Sequence, residues 1–139
     1  MNVENWLYKV KKYDQLIDAK LAEQARLKAI ATDISPKPMD GMPFENTGMP
    51  PQKMENAIIK LVELSHEIDR IIDEYIDYKQ EVLKVLEQLP DKEYGVLHRY
   101  YIRYMTLEQI AESMCYSRQQ IWRIKKNGLN ILQNLVKCS

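Results

Sequence analysis

Phenylalanine occurs once in this sequence, cysteine and histidine twice each, and glycine four times. Cys115 and Cys138 form no CxxC and no ligand cluster with His66 or His98, so no metal site is expected. A reduced setting is the default, with Cys115 as a small buried apolar residue and no bridge to Cys138. So few glycines leave no phosphate-cradling loop, and no HExxH or Cys-His pair occurs. The carboxylates from Glu63 to Glu87 interleave with Lys and Arg as on a solvated helix face. No catalytic residue, no cofactor and no enzyme activity are expected. Nothing approaches the roughly 18 apolar residues of a membrane helix. Met1–Lys12 mixes charged with apolar residues and is not read as a signal peptide, so a cytoplasmic location is expected.

Net charge is also lacking, since twenty Lys+Arg balance twenty Asp+Glu. Its distribution is uneven. From Arg99 onward seven cations face two acids, which gives +5, so residues 1–98 carry −5. No acid occurs from Met114 to Ser139. Exposed helices ordinarily mix signs, and a partner senses the local field rather than the sum.

What is present is helical periodicity. From Asn5 to about Ala31, Trp6, Val10, Tyr13, Ile17, Leu21, Leu27 and Ile30 recur on one stripe. Prolines 36, 38, 43, 50 and 51 then interrupt any helix, with Gly-Met-Pro at 41–43 and again at 48–50. This segment, about 33–52, is a connector or a loop that docks Met42, Phe44 and Met49. From about Pro51 to Leu89, Met54, Ile58, Leu61, Ser65, Ile68, Ile72, Tyr75, Lys79, Val82, Leu86 and Leu89 alternate in steps of four and three, a heptad seam. Ala57, Leu64, Ile71, Tyr78 and Val85 widen it. The two helices are expected to fold into a long antiparallel, coiled-coil-like hairpin over 1–89, alone or in a homodimer.

Pro90 ends the long helix in this reading, and 90–139 forms a separate DNA-binding domain of three or four short helices. Tyr94, Leu97, Tyr101 and Tyr104 stripe the first. Thr106 or its neighbour starts the next, and Ser117 caps the last. A fragment from about Glu87 is expected to fold by itself, with marginal stability.

"TLEQIAESMCYSRQQIWRI" is similar to a helix-turn-helix. Ile110 and Ala111 stand where a close helix crossing admits only a methyl, and Ile121 and Ile124 face back onto it. Cys115 stands where the pattern prefers Gly, so the turn is either looser or held by a residue with positive φ. More broadly, "LPDKEYGVLHRYYIRYMTLEQIAESMCYSRQQIWRIKKNGLNIL" resembles region 4 of bacterial sigma factors, with Gly128 where those proteins often carry Ala. With the two long helices, the "ATDISP" segment and the "DGMP" loop, the chain resembles small phage- and prophage-encoded sigma-region-4-like regulators. These are related in style to the late-transcription activators ArpU and RinA. The resemblance implies an all-α fold, transcriptional control of phage genes and possible contact with RNA polymerase. No counterpart of the polymerase-binding region 2 is evident.

Double-stranded DNA is the expected partner. Arg118, Gln119, Gln120 and Arg123 carry the forked groups that distinguish base edges, at the helix end that enters the major groove. Lys125, Lys126, Arg99, Arg103 and Ser117 are assigned to phosphates. Trp122 is expected to pack inward, and His98 to lie at a core edge. Two alternatives stay open: a terminase-like small subunit of phage DNA packaging, and a protein-interaction module built on the hairpin.

Overall fold

A computed structural model describes residues 2–32 and 51–138. Among them there is no strand. Five helices follow in order: α1 (Val3–Thr32), α2 (Pro51–Leu86), α3 (Asp91–Leu97), α4 (Leu107–Met114) and α5 (Arg118–Cys138). A π-helical turn, His98–Ile102, continues α3. The fold is all-α, with two long antiparallel helices before a helix-turn-helix. The Gly-Met-Pro loop lies outside the described residues.

Packing divides the chain into two compact units, Met1–Gln15 with Glu74–Ser139, and Leu16–Asp73. In the second, Ile17 and Leu27 of α1 and Ala57, Ile68 and Ile71 of α2 are buried. Antiparallel pairing is visible in its polar contacts: Lys20 Nζ meets Glu67 at 3.0 Å, and Gln24 Nε2 donates to Ser65 Oγ at 3.0 Å. Ser65, a polar residue on the seam, is therefore satisfied. Buried or bonded polar pairs of this kind fix helix register more than they add stability.

The buried lines include expected residues, Val10, Ile17 and Leu27 of α1 and Ile68, Val82 and Leu86 of α2, and depart from the expected stripes elsewhere. On α1, Val3 and Leu7 are buried, Trp6 is half-buried, and Leu21 is exposed. On α2 Ala57 and Ile71 of the supposed flank are buried along with the seam residue Ile68, while the seam residue Ile58 is exposed. A stripe wider than a coiled-coil seam contains more than one line of periodicity, and only the partner helix selects between them.

The other unit has two apolar clusters. The larger joins Val3, Leu7 and Val10 of α1 to Val82 and Leu86 of α2, Leu89, Leu97, Tyr101, and Leu132 of α5. This core crosses residue 89, which argues against the expectation that a fragment from Glu87 folds by itself. Such a fragment lacks Val3, Leu7, Val10, Val82 and Leu86. Each buried Val or Leu side chain is worth ~1.5–3 kcal/mol, and together they exceed the ~3–5 kcal/mol that a small single core supplies.

The α1–α2 pairing continues here. Tyr13 packs against Tyr75 and Tyr78 at 5.7 and 5.6 Å between ring centroids, and the Tyr78 hydroxyl donates to the Trp6 carbonyl. Burial pushes the Tyr75 and Tyr78 phenols up to about 12. Lys79, also on the seam, rests its ammonium 5.5 Å from the Tyr75 ring.

Helix α2 stops at Leu86 rather than Leu89. Gln88 N–H and Leu89 N–H bond three residues back, to Val85 and Leu86, tightening the last turn. Pro90 is the residue before α3, with φ −57° and ψ 157°. Asp91 and Glu93 follow in the first turn, where negative charge suits the helix dipole.

Candidate nucleic-acid interface

The π-turn inserts one residue into the helix that carries the tyrosines. Arg103 N–H reaches the His98 carbonyl at 3.1 Å, and Met105 N–H reaches the Arg99 carbonyl at 2.9 Å. Tyr104 then takes φ 57°. It leaves the expected Tyr94–Leu97–Tyr101 stripe, is exposed, and donates its hydroxyl to Asp14 on α1. Burial, and then the bond to Asp14, raise the Tyr104 phenol well above its usual range. Tyr101 remains in the core.

Two successive capping boxes start the helices of the helix-turn-helix. Thr106 Oγ1 accepts from Gln109 N–H at 3.2 Å, while Gln109 Oε1 accepts from Thr106 N–H at 2.9 Å. Ser117 and Gln120 repeat this at 3.1 and 2.9 Å. Both follow Ser/Thr-x-x-Gln, in "TLEQ" and "SRQQ". Between them, α4 ends on Cys115 in the left-handed region, with φ 61° and ψ 40°. Tyr116 N–H reaches back to the Ala111 carbonyl at 3.0 Å, the long bond of a Schellman cap. Of the two turns left open by the missing glycine, the chain therefore uses the strained one. Cys115 is free and exposed, which corrects its expected burial: a residue in this cap projects away from the crossing.

Ile110, Ala111 and Ile121 bury the crossing together with Val96 of α3. Behind it, α3 and α5 approach closely at Gly128. A Cβ there would lie 2.9 Å from Leu97 Cδ1 and 3.3 Å from Glu93 Cβ.

With its inner face spent on Ile121, Gly128 and Leu132, α5 presents Gln119, Trp122, Arg123, Lys126 and Asn130 outward. Gln119 and Arg123 of the base-reading set lie together on this face. Arg118 is exposed and pairs with Glu108 of α4 at 3.2 Å. Gln120 is exposed, but its amide oxygen is committed to the cap. Ser117 is the cap itself.

Of the phosphate set, Lys126 and Arg103 are exposed. Lys126 Nζ lies 4.7 Å from the Trp122 ring. Lys125 is half-buried, its Nζ 4.5 Å over Tyr100. Arg99 is half-buried and donates through Nη1 to the Gly95 carbonyl at 3.1 Å. Trp122 is 48 % exposed, against the expectation that it packs inward. The helical period puts it beside Lys126, and Ile121 fills the inner place. His98 is half-buried beside Tyr94, 5.4 Å between rings, and burial, then the Arg103, Arg99 and Lys79 charges, lower its pKa.

Two features were missed from the sequence. One is Asn130 on the outward face, whose signal is its spacing from Arg123 and Lys126. The other is α1, whose "YKVKK" run, Tyr8–Lys12, lies in the same compact unit as this helix. Among the described residues, no cluster of His, Cys, Asp or Glu could hold a metal ion, and no helix is long and apolar enough to cross a membrane.

A short helix, α4, crossing at a methyl the longer α5, whose outward face is basic, defines a helix-turn-helix of the DNA-binding class. Residues 85–134 match the family described as Sigma-70, region 4, so this segment is similar to that region. No curated protein and no solved structure matches the chain.

Proposed function

We propose that the protein is a sequence-specific double-stranded DNA-binding regulator of transcription, of the type that phages and prophages encode. The observation that carries this reading is the outward face of α5, with Gln119, Arg123 and Lys126 in line and no acid on the helix, within a segment matching sigma region 4. Gln119 and Arg123 read bases from the centre of this face, with Arg118 and the free amide NH₂ of Gln120 at its leading end. Lys126, Lys125, Arg103 and the Ser117 turn hold phosphates. Arg99 is left out, because its guanidinium is turned onto Gly95. Contact with RNA polymerase is part of the proposal through the region-4 likeness alone.

Selection of duplexes from a random pool tests it. The wild type should enrich one motif. Arg123→Ala should lose ~1–3 kcal/mol and relax one position of that motif, whereas Lys126→Ala should weaken all sequences alike. A wild type that enriches nothing overturns the proposal.

Self-association belongs to the proposal as well. In the unit Leu16–Asp73, Ile58, Ile59 and Val62, all within one and a half turns of α2, are 46, 52 and 50 % exposed, and grouped exposed apolar residues favour a partner surface. Replacing Ile58 and Val62 by Glu should shift sedimentation to the monomer without unfolding. A wild-type monomer at all micromolar concentrations removes the dimer, and a ring-shaped oligomer would favour the packaging subunit.

A further inference from the structure

A cleft of about 540 Å³ opens beside the recognition helix, and one wall of it belongs to α1. Tyr8 and Lys11 of α1, Tyr104 and Thr106, and Arg118 and Lys125 of α5 all line it. All lie in the one compact unit. Lys11, Arg118 and Lys125 line it together with two acids, Glu4 and Glu108. Glu108 is already paired with Arg118, which leaves two lysines against one glutamate.

The lysines are held in an unusual way. Lys11 Nζ lies 5.7 Å from the Tyr104 ring and 5.9 Å from the Tyr8 ring. Lys12, exposed and next to the cleft lining, also lies 5.9 Å from the Tyr8 ring. Lys125 rests on Tyr100. An ammonium on a ring face is positioned without being neutralised, and its N–H donors stay available to an anion. In a helix-turn-helix complex the first helix crosses the DNA backbone while the second enters the groove. Here the start of α4, Thr106 to Glu108, is itself part of the cleft wall. A strand passing that start runs directly into the cleft.

We propose that the cleft is a second strip of DNA interface, and that Lys11 in its lining and the adjacent exposed Lys12, both within 5.9 Å of the Tyr8 ring, grip the phosphodiester backbone flanking the recognition helix. These residues lie far outside the segment matched to region 4, so the DNA-binding surface extends beyond that domain. The inference rests on the DNA-binding reading of α5 and deepens it.

The test uses the full chain and fluorescence anisotropy, with the wild-type-selected duplex and a scrambled duplex across a salt series. Each lost phosphate contact lowers the slope of log K against log salt by ~0.9, so Lys11→Ala/Lys12→Ala should lower it by ~2. The loss should be equal on both duplexes and leave sequence preference and melting temperature unchanged. Lys11→Arg/Lys12→Arg should restore the slope, and Glu4→Gln should raise affinity for both duplexes. An unchanged slope in the alanine variant, with Lys126→Ala still lowering it, overturns the inference and leaves the α5 reading standing. Binding of polyglutamate, lost in the alanine variant while DNA binding is untouched, assigns the cleft to an acidic protein and also overturns it. If the wild type shows no salt-dependent DNA binding, the α5 reading itself falls.

Discussion

Replacing Cys115 by glycine should stabilise the protein, although glycine is ordinarily the costlier residue. The left-handed conformation costs a non-glycine residue roughly 1–2 kcal/mol. Glycine removes that cost but adds unfolded-chain entropy of about 0.4–1 kcal/mol. The Cys115 side chain is exposed and belongs to neither apolar cluster, so no burial is lost. The net gain is ~0.5–1 kcal/mol, and for a unit of this size the midpoint should rise by ~2–8 °C. Cys115→Ala separates the terms, since it removes the thiol but keeps the strain, and should stay within ~0.5 kcal/mol of wild type. Cys115→Val, β-branched at positive φ, should fall below both. The assay is thermal and urea unfolding of all four proteins under reducing conditions, with the urea slope unchanged across the series. If Cys115→Gly matches Cys115→Ala or melts lower, the left-handed cap is not the strained element described here.

The remaining predictions concern packing and protonation. Gly128→Ala gains ~0.8–1 kcal/mol of helix propensity but places a methyl 2.9 Å from Leu97 Cδ1. Leu97 is fully buried and overpacking costs ~1–3 kcal/mol, so denaturant midpoints should fall modestly for Ala and further for Val. His98 has a lowered pKa in the fold, so the unfolded chain binds the proton first. Stability should therefore fall as pH drops below about 6.5 toward the folded value, and His98→Gln should flatten that limb in pH-dependent melts. A fragment of residues 87–139 should give no cooperative melt, and a sharp transition would show that the α1 and α2 contributions to the core are dispensable.

The helices were legible because apolar residues recur at helical spacing over long stretches, and the crossing because Ile110–Ala111 is a steric requirement rather than a preference. Cys115 was legible as a departure, since only a few conformations resolve a missing glycine. The centre of the α2 seam was not, because Ala57 and Ile58 satisfy the same period. The π-turn leaves no mark in composition, yet it takes Tyr104 off its stripe. Residue type could not show that Arg99 turns onto the Gly95 carbonyl and Lys125 rests on Tyr100, while Trp122 turns out. Those choices depend on which carbonyl or ring lies within reach, and hence on the folded neighbours.

Val3 N–H donates to Gln133 Oε1 at 3.3 Å, across 130 positions of sequence, and Val3, Leu7 and Val10 share a core with Leu132. A ribosome makes α1 before α5, and Val3, Leu7 and Val10 complete their core only when Leu132 arrives. Native closure requires α5 to leave the exit tunnel, and contacts this distant in sequence form slowly. DNA-binding competence should therefore arrive in one late step rather than accumulate helix by helix. Chains arrested before Leu132 should leave Val3, Leu7 and Val10 open to protease and bind no DNA, so interrupted synthesis would yield no half-made binders.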